Sequence, residues 1–171
     1  MAEAALTASR QYLTFRLGEE SFAVDVGKVR EILDFSTVTR VPQTPAYMRG
    51  VINLRGSVVP VMDLRLKFGM AVADQTAESC IIVVEMALAG ELLVLGMLAD
   101  AVQEVIELAP EQIEPAPRIG TRLNTDFISG MGKYDHQFLI ILDIDRIFGA
   151  DAGALAADAA SPGEKNYEMA V

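Results

Sequence analysis

Few side chains in this 171-residue chain could do acid–base, nucleophilic or metal chemistry. His136 is the only histidine, set in Lys133-Tyr-Asp-His-Gln137. It has no second histidine and no neighbouring cysteine to complete a dyad or a metal site. A turn is the simpler role for that stretch. Cys80, the only cysteine, opens an apolar run and reads as a small buried hydrophobe. Asp143 and Asp145 stand two apart, as in some Mg²⁺ sites, and Asp63 precedes a short helical stretch. There is no phosphate-binding glycine loop and no dinucleotide fingerprint. With no nucleophile–base pair and no cofactor loop, the expectation is a protein without catalysis, metal or cofactor.

The elements that must position these residues come twice. Gly50-Val-Ile-Asn-Leu-Arg-Gly-Ser-Val-Val-Pro-Val-Met-Asp-Leu-Arg-Leu-Lys-Phe-Gly69 overlays Gly130 to Gly149 without a gap. The pairs Gly50/Gly130, Asp63/Asp143, Phe68/Phe148 and Gly69/Gly149 coincide. Both aspartates thereby become helix caps at the end of an apolar strand. Arg65 stands where Asp145 does, which weakens a metal reading of Asp143 and Asp145. Upstream, Val29-Arg-Glu-Ile-Leu33 resembles Val102-Gln-Glu-Val-Ile106. The repeat predicts one β unit used twice.

Within the first unit, Tyr12–Leu17 and Ser21–Val26 read as a hairpin around Gly18-Glu-Glu20. Val29–Phe35, Val51–Leu54 and Val58–Met62 follow as strands, with a turn at Arg55-Gly56-Ser57. Pro60 cannot donate to a ladder, which predicts an edge or a bulge there. A helix over Leu64–Phe68 is stopped by Gly69. The second unit offers strands at Cys80–Met86, Leu92–Leu98, Ala101–Leu108 and Phe138–Leu142, then a helix to Phe148. Short strands with tight turns, repeated twice, argue for a mainly β fold of two small barrels. The expected division is 10–70 and 79–149, with a possible crossing of the chain between barrels. An Ala-rich tail follows over 151–171, helical over 154–160 at most.

Composition bounds the partners. Hydrophobic residues make up 51% of the chain, enough for a sizeable core. Residues 1–70 hold nine Lys/Arg against seven Asp/Glu, whereas residues 71–171 hold five against seventeen. The acidic second half would repel nucleic acid and anionic lipid. The N-terminus lacks a secretory pattern, the apolar runs are too short to span a bilayer, and a lone cysteine fits a reducing, cytoplasmic setting.

Ala46-Tyr-Met-Arg-Gly-Val-Ile-Asn-Leu-Arg-Gly-Ser-Val-Val-Pro-Val-Met-Asp-Leu-Arg-Leu-Lys-Phe68 resembles the signature stretch of the CheW family of chemotaxis coupling proteins. Phe22–Ile32 and Glu111-Gln-Ile-Glu-Pro-Ala-Pro117 resemble it too, so the likeness runs from about Arg10 to Gly149. The resemblance implies two intertwined five-stranded SH3-like barrels around a shared hydrophobic core. It implies a non-catalytic adaptor in the cytoplasm, recruited to membrane-associated receptor arrays. One surface would hold the regulatory domain of the histidine kinase CheA, and the seam between barrels would grip the helical cytoplasmic tip of a chemoreceptor. Glu31 and Arg55 match an opposite-charge pair bridging neighbouring strands near the receptor side. Val26, Val29, Ile81, Gly96, Val102 and Val105 match positions around the seam, and Gly50, Asn53, Leu54 and Gly56 match the signature turn. Ile113, Glu114, Arg118 and Ile119 form a candidate kinase-contact loop. There the family places a basic residue after the Glu-Gln-Ile run, but this chain carries Glu114. The competing reading is a CheW-like module of another chemosensory system, for pilus or gliding motility, or a CheV-like one.

Overall fold

A computed structural model describes residues 9–35, 38–71, 74–88, 90–115 and 127–148. The chain runs β1 (Arg10–Leu17), β2 (Glu20–Asp25), a 3-10 turn (Val26–Lys28), β3 (Val29–Asp34), β4 (Met48–Leu54) and β5 (Ser57–Asp63), then helix α1 (Leu64–Lys67). The second repeat follows as β6 (Cys80–Leu88), β7 (Glu91–Ala99), β8 (Ala101–Leu108), β9 (Ile113–Glu114), β10 (Ile128–Tyr134) and β11 (Gln137–Leu142). A helical turn over 144–148 comes last. The expected tail helix, Gly149, Arg118 and Ile119 lie outside the described residues.

The strands form two sheets, ordered β8-β1-β2-β11-β10-β9 and β3-β6-β7-β5-β4. Each sheet borrows the opening hairpin of the other repeat: β1–β2 joins the strands of the second unit, and β6–β7 joins those of the first. The borrowed hairpins are locked by parallel pairing, β11 with β2 and β5 with β7. A bridge between Thr39 and Val51 ties the chain leaving β3 to β4, the opposite edge of the five-stranded sheet, and so curls that sheet toward closure. The other sheet has six strands rather than five, because the two-residue β9 adds an edge.

Alternation along the strands sorts the core into three parts. Ile52, Val59, Val61, Ile81, Val83 and Leu98 fill one barrel. Tyr12, Ala23, Ile106, Leu108, Leu139 and Ile141 fill the other. Between them lies a larger shared core, which takes Leu13, Phe15 and Leu17 from β1, Phe22 and Val24 from β2, and Cys80, Ile82, Val84 and Met86 from β6. A strand buried on both faces must be apolar throughout, which is why Cys80–Val84 reads as an unbroken run. Both repeat helices contribute to this core, Leu64 and Phe68 at the first and Ile144, Ile147 and Phe148 at the second. Phe22 stacks between Phe15 and Phe68 at 5.9 Å to each ring.

Two expectations change. Pro60 is neither on an edge strand nor itself bulged: β5 is flanked by β7 and β4. The proline is accommodated because the ladder to β7 begins one residue later, at Val61. The register shift falls on the partner strand, between Met48 and Gly50. β10, absent from the strands read off residue type, is the second repeat's counterpart of β4.

Candidate partner-binding surface

The β4–β5 hairpin turns on two residues, Arg55 and Gly56, both with positive φ (52° and 88°). That twist is what a tight two-residue hairpin needs, and Gly56 supplies it without strain. Asn53 holds the turn, its Oδ1 accepting from the Gly56 N–H at 2.8 Å. Leu54 is half-buried against the barrel interior. Gly50 answers a different need. A Cβ there would stand 2.0 Å from the Thr39 carbonyl oxygen, so only glycine lets the closing bridge form. The turn carries Arg55 across to Glu31, and the two make an ion pair. Glu31 lies on β3 and Arg55 follows β4, the two edges of one sheet. The pair therefore straps the barrel shut from outside, with Arg55 69% and Glu31 24% exposed at the side chain.

The seam positions separate into two groups. Ile81 and Gly96 do not reach the seam surface. Ile81 is fully buried inside a barrel, and a Cβ on Gly96 would meet Ile81 Cγ2 at 2.9 Å. Gly96 is glycine because β7 passes close over that side chain. The other four lie outside the barrel interiors. Val26 is half-buried in the 3-10 turn capped by Asp25. Val29 and Val102 pack against the shared core, one from each sheet. Val105 is exposed.

The ladders explain how these residues share a face. On β8, Val102 pairs with Phe15 and Val105 with Leu13. Leu13 and Phe15 both point into the shared core, so Val102 and Val105 share that face. Residues three apart on a regular strand would point oppositely; a bulge between them reverses this. On β3, Val29 pairs with Val84 and Ile32 with Ile82, both shared-core residues, again across a bulge. Each barrel thus presents the same device, a bulged edge strand with one valine on the shared core and one apolar residue, Ile32 or Val105, left in solvent.

Sequence reasoning missed Ile32, and also the exposed Val58 and Phe138. The repeat contained the signal, since Ile32 overlays Val105 and Val58 overlays Phe138. An apolar residue exposed at both copies of one position is more than scatter.

Of the candidate kinase-contact loop, Ile113 is half-buried against a barrel interior and sits under Gly130, where a Cβ would meet its Cγ2 at 2.8 Å. Ile113 is therefore a packing residue. Glu114 is exposed at the sheet edge and pairs with Lys133 at 2.5 Å.

The titratable groups mostly serve the framework. His136 occupies a two-residue turn with Asp135, both at positive φ. Cys80 is buried, and burial pushes its thiol up. Asp63 caps α1 through the Arg65 N–H and pairs with Arg49 at 3.1 Å. Asp143 accepts from the Arg146 N–H at 3.2 Å, and Asp145 is taken by Lys28 at 3.1 Å. Among the described residues, no three His, Cys, Asp or Glu side chains converge as metal ligands. Among them also, no helix is long and apolar enough to cross a membrane.

The CheW-like domain model matches residues 11–152. The chain is 36% identical over 154 residues to the chemotaxis protein CheW of Klebsiella aerogenes, covering 90% of each. It is 37% identical over 139 residues to a probable chemotaxis protein CheW of Rhizobium etli, covering 81% of this chain and 87% of that one. The scaffolding protein TtCheW of Thermoanaerobacter tengcongensis superposes with a TM-score of 0.74 at 35% identity, over 82% of this chain and 88% of that one.

Proposed function

The chain belongs to the CheW-like domain family, and we propose that it is a non-catalytic scaffold linking chemoreceptors to the histidine kinase CheA. The observation that carries this reading is the duplicated edge device. β3 and β8 each lay a valine on the shared core and leave an apolar neighbour exposed on the same face. A receptor tip is an antiparallel helical hairpin, and a helix buries apolar side chains at three- and four-residue spacing. Two apolar walls from two barrels suit such a ligand, with Val29 and Ile32 on one side and Val102 and Val105 on the other. Glu31 and Arg55 brace the β3 wall. The exposed hairpin ends around Val58 and Phe138, together with Glu114, remain for the kinase regulatory domain.

The test is a pull-down of the purified chain with a receptor cytoplasmic fragment and with the CheA regulatory domain, beside an ATP assay of the chain alone. Capture of both partners without ATP hydrolysis or phosphate uptake is expected. Phosphoryl transfer by the chain itself, or capture of neither partner, sinks the proposal.

A further inference from the structure

We infer that Thr14 is a positioning residue for the β8 wall, an inference that rests on the adaptor reading above. Thr14 is 3% exposed, a polar side chain buried inside the fold. It lies where the β1–β8 ladder changes register. Phe15 pairs with Val102 and Leu13 with Val105, so Gln103 and Glu104 both stand opposite Thr14. A bulge strips a residue of its ladder partners, and a buried backbone N–H or C=O without a partner is costly. The Thr14 hydroxyl replaces both. Its Oγ1 donates to the Glu104 carbonyl oxygen at 2.8 Å and accepts from the Glu104 N–H at 3.1 Å. A hydroxyl can do both at once, and a methyl of the same size can do neither.

The matching bulge on β3 is secured differently. There the extra residue is Arg30, and the facing strand offers Val83 and Val84 with no hydroxyl. Arg30 instead reaches Glu85 at 3.0 Å in a partly exposed pair. The β8 bulge alone hangs on one buried group, and that bulge puts Val102 and Val105 on one face. Without the hydroxyl, the Glu104 N–H and C=O lose both of these partners, and among the described residues nothing else in the ladder holds the bulge in its register. A one-residue slip turns a strand's side chains to the opposite face, so the receptor-side apolar pair is broken while the remote hairpin ends stay in place.

Thr14→Val and Thr14→Ser separate the hydroxyl from the side-chain shape. In Thr14→Val, binding of a receptor cytoplasmic fragment should weaken by about tenfold or more, a loss of about 1.4 kcal/mol or more. Binding of the CheA regulatory domain should hold. Hydrogen exchange at the Glu104 amide should quicken while β6 and β7 amides keep their protection. Thr14→Ser, which keeps the hydroxyl, should return all three readouts to wild type. Receptor binding unchanged in Thr14→Val overturns the inference, as does equal loss of both partners or failure of serine to rescue. If wild type binds neither partner, the adaptor reading falls and takes the functional role of Thr14 with it. Unchanged Glu104 exchange in Thr14→Val with wild type binding normally overturns the role of Thr14 alone.

Discussion

Glu31 and Arg55 stand on opposite edges of one sheet, and their pairing can be worth much or little depending on what else depends on it. As an exposed ion pair it contributes under about 1 kcal/mol to folding. Its leverage is positional, because it braces β3 where the proposed receptor wall lies. Glu31→Ala or Arg55→Ala should therefore lower receptor-coupled kinase control strongly while moving the melting temperature by only a few degrees at most. The exchange Glu31→Arg with Arg55→Glu should recover part of the lost coupling if charge is what matters. Parallel losses of melting temperature and coupling would make the pair purely structural. At this scale, sequence was a good guide where chemistry is local. Asp63 and Asp143 were legible as helix caps from the apolar strand before them and the short helix after. Gly56 was legible as a turn residue. Gly96 was not legible, because its glycine answers to Ile81 on a neighbouring strand, a contact that composition does not announce.

The function proposed for the edge strands β3 and β8 rests on irregularity. A regular strand would scatter Val29 and Ile32, or Val102 and Val105, onto opposite faces; the bulges gather each pair. Bulky substitution on such a strand should act on binding before it acts on folding. Val29 is half-buried at the rim of the shared core. Val29→Trp should cost about 1–3 kcal/mol of stability through overpacking, leaving a folded protein. Titrated with receptor fragment, that variant should show severe loss; titrated with the kinase domain, it should match wild type. Receptor binding at full affinity would move the contact off β3, and joint loss would indicate misfolding. Strand existence was readable wherever side chains carried the signal, as in β1, β6 and β8. It failed for β10, whose Ile-Ser-Gly-Met-Gly-Lys-Tyr lacks an apolar pattern. Its glycines are set by tertiary neighbours: a Cβ on Gly130 would strike Ile113, and one on Gly132 would strike Leu108. Bulges were invisible too, since one extra residue in a ladder leaves composition unchanged.

At the scale of the molecule, the exchange of hairpins joins the two barrels, and the chain passes between them at short crossing points. Asp100 is the single residue between β7 of one sheet and β8 of the other. Its carboxylate accepts from the Gly18 N–H in the β1–β2 turn at 2.6 Å and from Arg65 on α1 at 2.6 Å and 3.2 Å. One side chain of the second repeat thereby ties together two parts of the first, the β1–β2 hairpin lent to the other barrel and helix α1. Burial alone would raise the Asp100 carboxyl, but the Arg65 hydrogen bonds, the Gly18 N–H and the charges of Arg65 and Arg16 outweigh it and hold the group below the usual carboxylate range. A group depressed in the folded state stabilises fully above its unfolded pKa, near 3.9 for Asp. The contribution then fades as pH falls through that value toward the lower folded pKa. Asp100→Asn removes the charge-assisted bonds, and at pH 7 it should cost about 2 kcal/mol, in the range of hydrogen bonds to charged groups. Urea unfolding of wild type and Asp100→Asn at pH 7 and again near pH 3 isolates this group, because the other carboxylates are common to both proteins. The gap between the two should be widest at neutral pH and should narrow in acid, where the unfolded wild-type chain takes up a proton on Asp100 before the folded one does. A gap that stays constant across that range would mean that Asp100 acts through shape alone, and that the tie between the barrels is not electrostatic.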